Sequence, residues 1–434
     1  MRLIHRAAVA AVLALIGGPS VWADSSHGPI TADQAVREAL TANVDLAAAR
    51  LAIDVARGQL LQAGRLDNPE ARVSLADDFA FNAEGERVVS GGFSQRFPIT
   101  ARLAREKDVA RVDVAIAEAE VRDFVRGLVA DVQRAFYATL AFDERIAVDT
   151  ELIATVRHVE ETTARRLELA EASAAEVSLL RIERLRLEQD VQRLSREREV
   201  SAVLLARLLG RSSSAVPQPA GDLDPGDVPV SKDATAPIAD FSKRPDLDAA
   251  RAEIERAEAN RALVRTQVWE DWSAGVGVES GRDVFEAPIG TTRDTLLSLD
   301  VSVPLPLWNR QQGRIASTEA QLLRARRARD GLALRVEEEI RAAEARIRIL
   351  RASVDTYERE ILPEATRTRA SFEDGYRQGL IGVAELLQAQ RQYNETRSAR
   401  VELLGELRQA AIEFDAARGT TPFANEFELD GGTR

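Results

Sequence analysis

The chain has 434 residues, of which 29% are charged, 45% apolar and only 5% aromatic, with a formal charge of −12 and no cysteine. Abundant Ala, Leu, Glu and Arg with so few aromatics favours long helices and coiled coil over a compact enzyme core. The acidic balance opposes a nucleic-acid partner, which needs a basic footprint, and without cysteine there is neither a disulfide nor a lipid on an N-terminal Cys.

Residues 1–23 read as a secretory signal: Arg2 and Arg6 start it, residues 7–16 are its apolar run, and Val21-Trp22-Ala23 is the cleavage site before Asp24. The apolar run is about half the roughly 20 residues a membrane span needs. Losing Arg2 and Arg6 takes the formal charge from −12 to −14. His27 and His158 remain, and His158 falls on a charged helix face, so no metal site is expected there.

After a polar leader, Thr31 is the expected N-cap of a helix with Gln34 at the capping-box position. Its buried stripe is Ala35, Leu40, Leu46, Leu51, Val55 and Leu60, and it stops at the turn signal Asp67-Asn68-Pro69. Residues 71–81 alternate Val73, Leu75, Phe79 and Phe81 with polar positions, and residues 89–97 do the same up to Pro98, which predicts a strand hairpin over 71–97. Residues 102–169 contain no Pro and one Gly, Gly127, while Val121, Val125, Leu128, Val132, Ala135 and Phe136 recur at helical spacing. A helix of that length would be about 100 Å long, too long to bury in a globule, and it needs partners of equal length. A break at residues 171–175 precedes a return helix over 175–209, closed by Gly210.

The connecting segment, 212–243, is rich in Pro, Asp, Ser and Gly without period. The programme then recurs. Asp45-Leu46-Ala47-Ala48-Ala49-Arg50 is echoed by Asp246-Leu247-Asp248-Ala249-Ala250-Arg251 at an offset of 201, from 45 to 246. Pro98 is echoed by Pro304 at 206, and Glu176 and Gly210 by Glu385 and Gly419 at 209. Such a slow drift predicts two structural repeats, 24–211 and 244–420, rather than a solenoid period, with a tail over 421–434. In the second repeat the expected elements are a helix, a strand hairpin over 272–303, a long helix over 310–374 interrupted by Gly313, Gly331 and Pro363, and a return helix over 382–418. Pro363 has no counterpart in the first repeat, so the two helical hairpins should differ in curvature.

Four strands of about ten residues are long enough to cross a bilayer when tilted. They cannot close a barrel alone, and unpaired strand edges in lipid cost several kcal/mol per group. Several copies must therefore complete one sheet. Two copies would give a side-chain-filled interior, whereas the wet inward set of Ser, Gly, Asp, Glu and Arg favours three copies and a water-filled lumen. The long helices would form a second barrel continuous with the first, and Trp269, Trp272 and Trp308 flank the strands where aromatics anchor at lipid headgroups.

Two runs carry a resemblance to a known family: Val303-Pro304-Leu305-Pro306-Leu307-Trp308-Asn309-Arg310-Gln311-Gln312-Gly313, and Ile361-Leu362-Pro363 through Tyr376-Arg377-Gln378-Gly379 to Glu385-Leu386-Leu387-Gln388-Ala389-Gln390-Arg391. The chain resembles the TolC-like outer-membrane efflux channels of Gram-negative bacteria over nearly everything after the signal, and the first run is similar to the branch that works with heavy-metal cation exporters. The resemblance implies a mainly α fold with a small membrane β part. It has a long periplasmic helical barrel, and four strands per chain contribute to a trimeric 12-stranded barrel, with 212–243 as an equatorial segment. It also implies a homotrimer in the outer membrane, contacting its lipid, a periplasmic adaptor protein and an inner-membrane pump of the resistance-nodulation-division type. The implied work is passive conduction, with no catalytic residue, cofactor or bound metal.

In the family the second run forms the periplasmic turn that closes the channel at rest and docks on the adaptor. Tyr376 and Gly379 match the closed-state contacts. Glu385 matches one of two entrance acids and Gln388 stands where the second would be, which weakens cation binding at the entrance. The expected entrance set is therefore Tyr376, Glu385 and Gln388. The expected adaptor contacts are Glu171, Ala172 and Ser173 on the first turn, and Gly379, Leu380, Ile381, Gly382 and Val383 on the second. Independently of the family, Gly375, Gly379 and Gly382 should break the helix there, with Leu380, Ile381 and Val383 as exposed apolar handles. Glu385 from three copies would converge on the axis and repel.

No nucleophile elbow, P-loop or Cys/His cluster points to an enzyme. Other branches of the family serve drug efflux or type I secretion. A structural coiled-coil envelope protein would need the helices but not the strands, and an adhesin would need surface loops longer than residues 82–87 and 281–294.

Overall fold

The computed structural model describes residues 28–78, 85–226, 228, 241, 244–285 and 290–420. The export signal with Ala23 and Asp24, the strand positions Phe79 and Phe81, most of 227–243 and the tail 421–434 lie outside the described residues.

Helix α3, Arg102–Glu168, is continuous for 67 residues and packs against α1 (Ala32–Ala42), α2 (Val44–Gln62), α4 (Ala174–Leu208), α5 (Pro245–Thr266) and α8 (Val383–Arg418). Its stripe Val121, Val125, Leu128, Val132, Ala135 and Phe136 is buried throughout and forms the middle of the main core. At 1.5 Å per residue the rod is about 100 Å long, so no single neighbour covers it.

Thr31 caps α1 through the expected capping box with Gln34. The single helix expected beyond it is in fact two. Asn43 adopts an extended conformation, ends α1, and accepts from Leu46 N at 2.8 Å to start α2. The break rotates the buried stripe: Val36, Ala39, Leu46, Ile53 and Ala56 are inside, while the expected Leu51 and Val55 are about 60% exposed, at 61% and 60%. A side chain that caps a new helix overrides a periodicity that runs through it.

The strands β2 (Glu70–Asp77), β3 (Arg87–Phe97), β5 (Trp272–Phe285) and β6 (Gly290–Ser302) form one antiparallel sheet in the order β2-β3-β5-β6. The second hairpin is longer than its apolar alternation indicated, because the polar residues on either side of 286–289 pair as well, from Ser280 with Thr295 to Phe285 with Gly290. Most of the loop expected over 281–294 is therefore strand. In register, Val73-Gly91-Val278-Leu297 and Ala71-Phe93-Val276-Leu299 lie on one face, and Arg72-Gly92-Gly277-Ser298 and Glu70-Ser94-Gly275-Asp300 on the other. Among the described residues nothing covers the apolar face: Val73, Leu297 and Leu299 are 82%, 77% and 79% exposed. The polar face lines a trough with Glu70, Arg72, Arg96, Glu279 and Asp300. Among the described residues the outer edges of β2 and β6 pair with no further strand.

Part of the connecting segment is ordered by the start of the chain. Strands β1 (Pro29–Ile30) and β4 (Gln218–Pro219) pair in parallel, and Ala220 N donates to Ile30 O at 2.9 Å. Leu223 is fully buried, and Arg408 of α8 stacks over the Tyr137 ring while donating to the carbonyls of Asp222, Leu223 and Asp224.

The second rod is not one α-helix. Helix α6, Gln312–Thr356, passes into a π-helical turn, Tyr357–Ile361, and then α7, Leu362–Arg377. Pro363 sits in the first turn of α7 and has no N–H to donate, and the backbone before it widens so that Leu362 N reaches Tyr357 O. The sequence placed the irregularity at Pro363, and its form is a one-residue bulge in the turn before the proline.

Candidate functional site

The two helical hairpins end in turns at 169–173, between α3 and α4, and at 378–382, between α7 and α8. Their backbones match bond for bond. In the first, Glu171 N donates to Arg166 O at 2.8 Å and Ala170 N to Leu167 O at 3.0 Å; in the second, Leu380 N donates to Gly375 O at 2.9 Å and Gly379 N to Tyr376 O at 3.0 Å. Both are Schellman endings with a left-handed residue, Ala170 at φ 59° and Gly379 at φ 72°. Gly375, expected to help break the helix, instead stays inside α7, where Ile381 packs over it.

The return helices start alike. Ser173 Oγ accepts from Glu176 N and Glu176 Oε2 accepts from Ser173 N at 2.8 Å, while Glu385 Oε2 accepts from Gly382 N at 3.0 Å. Glu385 is thus the capping carboxylate of α8, close to the positive end of that helix, and its side chain is exposed. Gln388, one turn on, is exposed on the same side of α8.

Of the three expected apolar handles only Leu380 stands free, at 75% exposed. Ile381 is half-buried, and Val383 is buried in a satellite core with Leu152, Val156, Leu180 and Leu387. Val383 is buried because Leu152 and Val156 of α3 and Leu180 of α4 meet it there. The first turn supplies a second free apolar side chain that the sequence reading passed over, Leu169, at 70% exposed, beside exposed Glu171 and Ser173 and half-buried Ala172.

Tyr376 ties the turns together. It packs against the satellite core, its hydroxyl lies 3.0 Å from Thr163 Oγ1 of α3, and the Arg166 guanidinium stands 6.0 Å from its ring centroid. Further up, polar links that the sequence reading did not single out hold the hairpins in register. Arg391 of α8 donates Nε to Glu183 Oε1 of α4 at 2.6 Å and Nη2 to Oε2, and Asn394 donates to Asp149 of α3 at 2.8 Å. Glu160 of α3 accepts from Arg184 Nε at 2.8 Å and Arg181 Nε at 3.3 Å. Burial disfavours the Glu160 charge, but hydrogen bonds from Arg184 and Arg181 outweigh it and hold the carboxyl below its ordinary value. The spacing of Arg181 and Arg184 on one face of α4 was the available signal; their partner on another helix was not. These contacts do no covalent chemistry. They fix the relative position of two rods at their free ends.

Residues 241–420 match the family described as outer membrane efflux protein. The chain is 21% identical over 399 residues to the cobalt-zinc-cadmium resistance protein CzcC of Cupriavidus metallidurans, covering 92% of each. Among solved structures it superposes on CusC with a TM-score of 0.73 at 18% identity, covering 89% of this chain and 91% of that one. On the outer membrane channel CmeC of Campylobacter jejuni the TM-score is 0.74 at 13% identity, covering 89% and 85%. These superpositions establish a shared fold.

Proposed function

We propose that the chain, whose residues 241–420 match the outer membrane efflux protein family, is one protomer of a passive exit channel in the outer membrane. The observation that carries this is the sheet: one apolar face without cover, one polar face forming a trough, and two unpaired edges. Unpaired edges are intolerable in hydrocarbon, so a lipid-facing sheet of this kind must be closed by other copies. Three copies, with four strands each, make a barrel wide enough for a wet lumen lined by the polar face. The two halves of the chain, each running helix, strand hairpin, long helix and return helix, are read as an internal duplication.

The helical part then hangs in the periplasm with its turns furthest from the membrane. Exposed Leu169, Leu380 and Gly379 are the surface offered to a periplasmic adaptor, and Glu385 and Gln388 line the entrance. Energy comes from an inner-membrane pump of the resistance-nodulation-division type; the channel contributes only a path. The relative CzcC is named for cobalt, zinc and cadmium resistance, and heavy-metal divalent cations are the proposed cargo here too.

Planar-bilayer recording of the purified full chain, together with its mass in detergent, tests the reading. A trimer with stepwise conductance is expected. A folded monomer that stays in water and opens no pore refutes it.

A further inference from the structure

Away from the helices, the apolar face of the sheet ends in a row of charge. Four residues on from Val73-Gly91-Val278-Leu297, the register sets Asp77, Arg87, Arg282 and Arg293 side by side on that same face. Arg87 lies directly opposite Arg282, and Arg282 directly opposite Arg293. Like charges facing one another across strands are destabilising, so three guanidiniums in file call for an anion beside them. The described residues supply little. Arg87 Nε stands 3.8 Å from Asp77 Oδ2, and among the described residues neither Arg282 nor Arg293, both exposed, has a carboxylate within ion-pair distance. Asp283 and Asp294, their neighbours in sequence, fall on the opposite face by strand alternation. Closing the sheet with further copies sets at most the next copy's Asp77 beside Arg293. With three arginines and one aspartate per copy, the row keeps two guanidiniums in excess.

The height of the row bears on what fills it. From the Phe97–Trp272 pair at the helix-side end to the Arg87–Arg282 pair, each strand runs ten residues, 97 to 87 and 272 to 282. That is about 34 Å along the strand, or about 26 Å along the membrane normal at a tilt of about 40°. The apolar band of an outer-membrane barrel is about 25 Å tall. An arginine row on the lipid-facing side at that height meets headgroups, in the leaflet away from the helices. Its width narrows the choice among anionic lipids. Strands lie about 4.8 Å apart, so Arg87 to Arg293 spans about 10 Å, which suits two phosphates at the ends of one disaccharide better than the single phosphate of a glycerophospholipid. Guanidinium forks hold phosphate oxygens in pairs.

We propose that Arg87, Arg282 and Arg293 form a binding site for a glycolipid whose disaccharide headgroup carries two phosphates, in the leaflet facing away from the helices. This rests on the channel reading, from which it is separable.

The test adds lipid A with both phosphates, its monophosphoryl form or phosphatidylglycerol to the purified full chain in detergent, counts bound lipid by native mass spectrometry, and records bilayer conductance in parallel. The two-phosphate form should bind more tightly than either other lipid, and inorganic phosphate at equal concentration should not displace it. Arg282→Gln and Arg293→Gln should each weaken it about fivefold, and the corresponding Lys variants should keep most of the affinity. Asp77→Asn, which removes the competing carboxylate, should strengthen it. Conducting channels overturn the site and leave the channel standing if the Gln variants bind as the parent does, if phosphatidylglycerol binds as well as the two-phosphate lipid, or if inorganic phosphate displaces it. Assemblies that fall apart in Asp77→Asn would show that the row pairs between copies, and overturn the site too. A parent protein that neither inserts nor conducts refutes the channel reading, and the site falls with it.

Discussion

Asn43 and Arg244 do the same work with different chemistry. Asn43, the N-cap of α2, donates Nδ2 to Leu208 O at 2.8 Å; Arg244, the N-cap of α5, donates Nη1 to Ala417 O at 2.6 Å. Each accepting carbonyl lies two residues before a left-handed glycine, Gly210 or Gly419, that ends a return helix. One side chain thus joins the start of one helix to the end of another, in both halves of the chain.

The two links should differ in cost when cut. Asn43→Ala removes a cap and a buried hydrogen bond, an expected loss of about 2 kcal/mol. Arg244 is 3% exposed and also holds Asp246 and Glu339. Arg244→Met leaves Asp246, 17% exposed, without its buried partner, while Glu339, at 45%, is rehydrated, and the expected loss is about 3 kcal/mol. Urea unfolding of the two variants in detergent should rank them in that order.

The paired turns make a backbone prediction. Ala170 and Gly379 occupy the same left-handed position, at φ 59° and 72°, but only one of them is a glycine. A left-handed conformation costs a residue with a Cβ about 1 kcal/mol. Ala170→Gly should stabilise the first turn by about that much and Gly379→Ala should destabilise the second similarly, seen as opposite shifts in the unfolding midpoint.

What the sequence disclosed depended on how local its physical cause was. The α3 stripe from Val121 to Phe136, the Thr31 capping box and the left-handed stop at Gly210 all follow from residues a few positions apart, and the structure has each of them. The break at Asn43 was hidden because the apolar period continues across it and its partner, Leu208, is remote in the chain. The burial of Val383 depends on Leu152, Val156 and Leu180 arriving from other helices. At the tip, Tyr376 and Glu385 were legible as residues, whereas the Thr163 and Gly382 atoms they bond were not.

Acid should loosen the protein through two depressed carboxylates. Burial disfavours the charge on Asp246, but hydrogen bonds from Arg244 and its field hold it below its ordinary 3.8, as Arg184 and Arg181 hold Glu160 below 4.5. The stability each supplies is full above the ordinary value and is lost as the pH falls through the lower folded one. Asp415 and Glu144, raised by burial, act with the opposite sign. The readout is therefore a difference. Unfolding free energy of Glu160→Gln against pH should be lower than the parent's at neutral pH, and the gap should close below pH 4.5. A gap of constant size down to the acid limit would show that the carboxylate charge is not what matters.

The tip makes a functional prediction that separates latch from charge. Tyr376→Phe keeps the ring in the satellite core and removes only the hydroxyl that meets Thr163 at 3.0 Å. On the proposed channel reading, in which this bond belongs to the resting arrangement alone, losing about 1 kcal/mol raises the open fraction roughly fivefold. Single-channel recordings should show that rise with ion selectivity unchanged. Glu385→Arg reverses an exposed charge that also caps α8, so selectivity should move away from cations and the mutant helix start should fray. If Tyr376→Phe alters selectivity while Glu385→Arg leaves both conductance and selectivity as they were, the entrance does not lie at this turn.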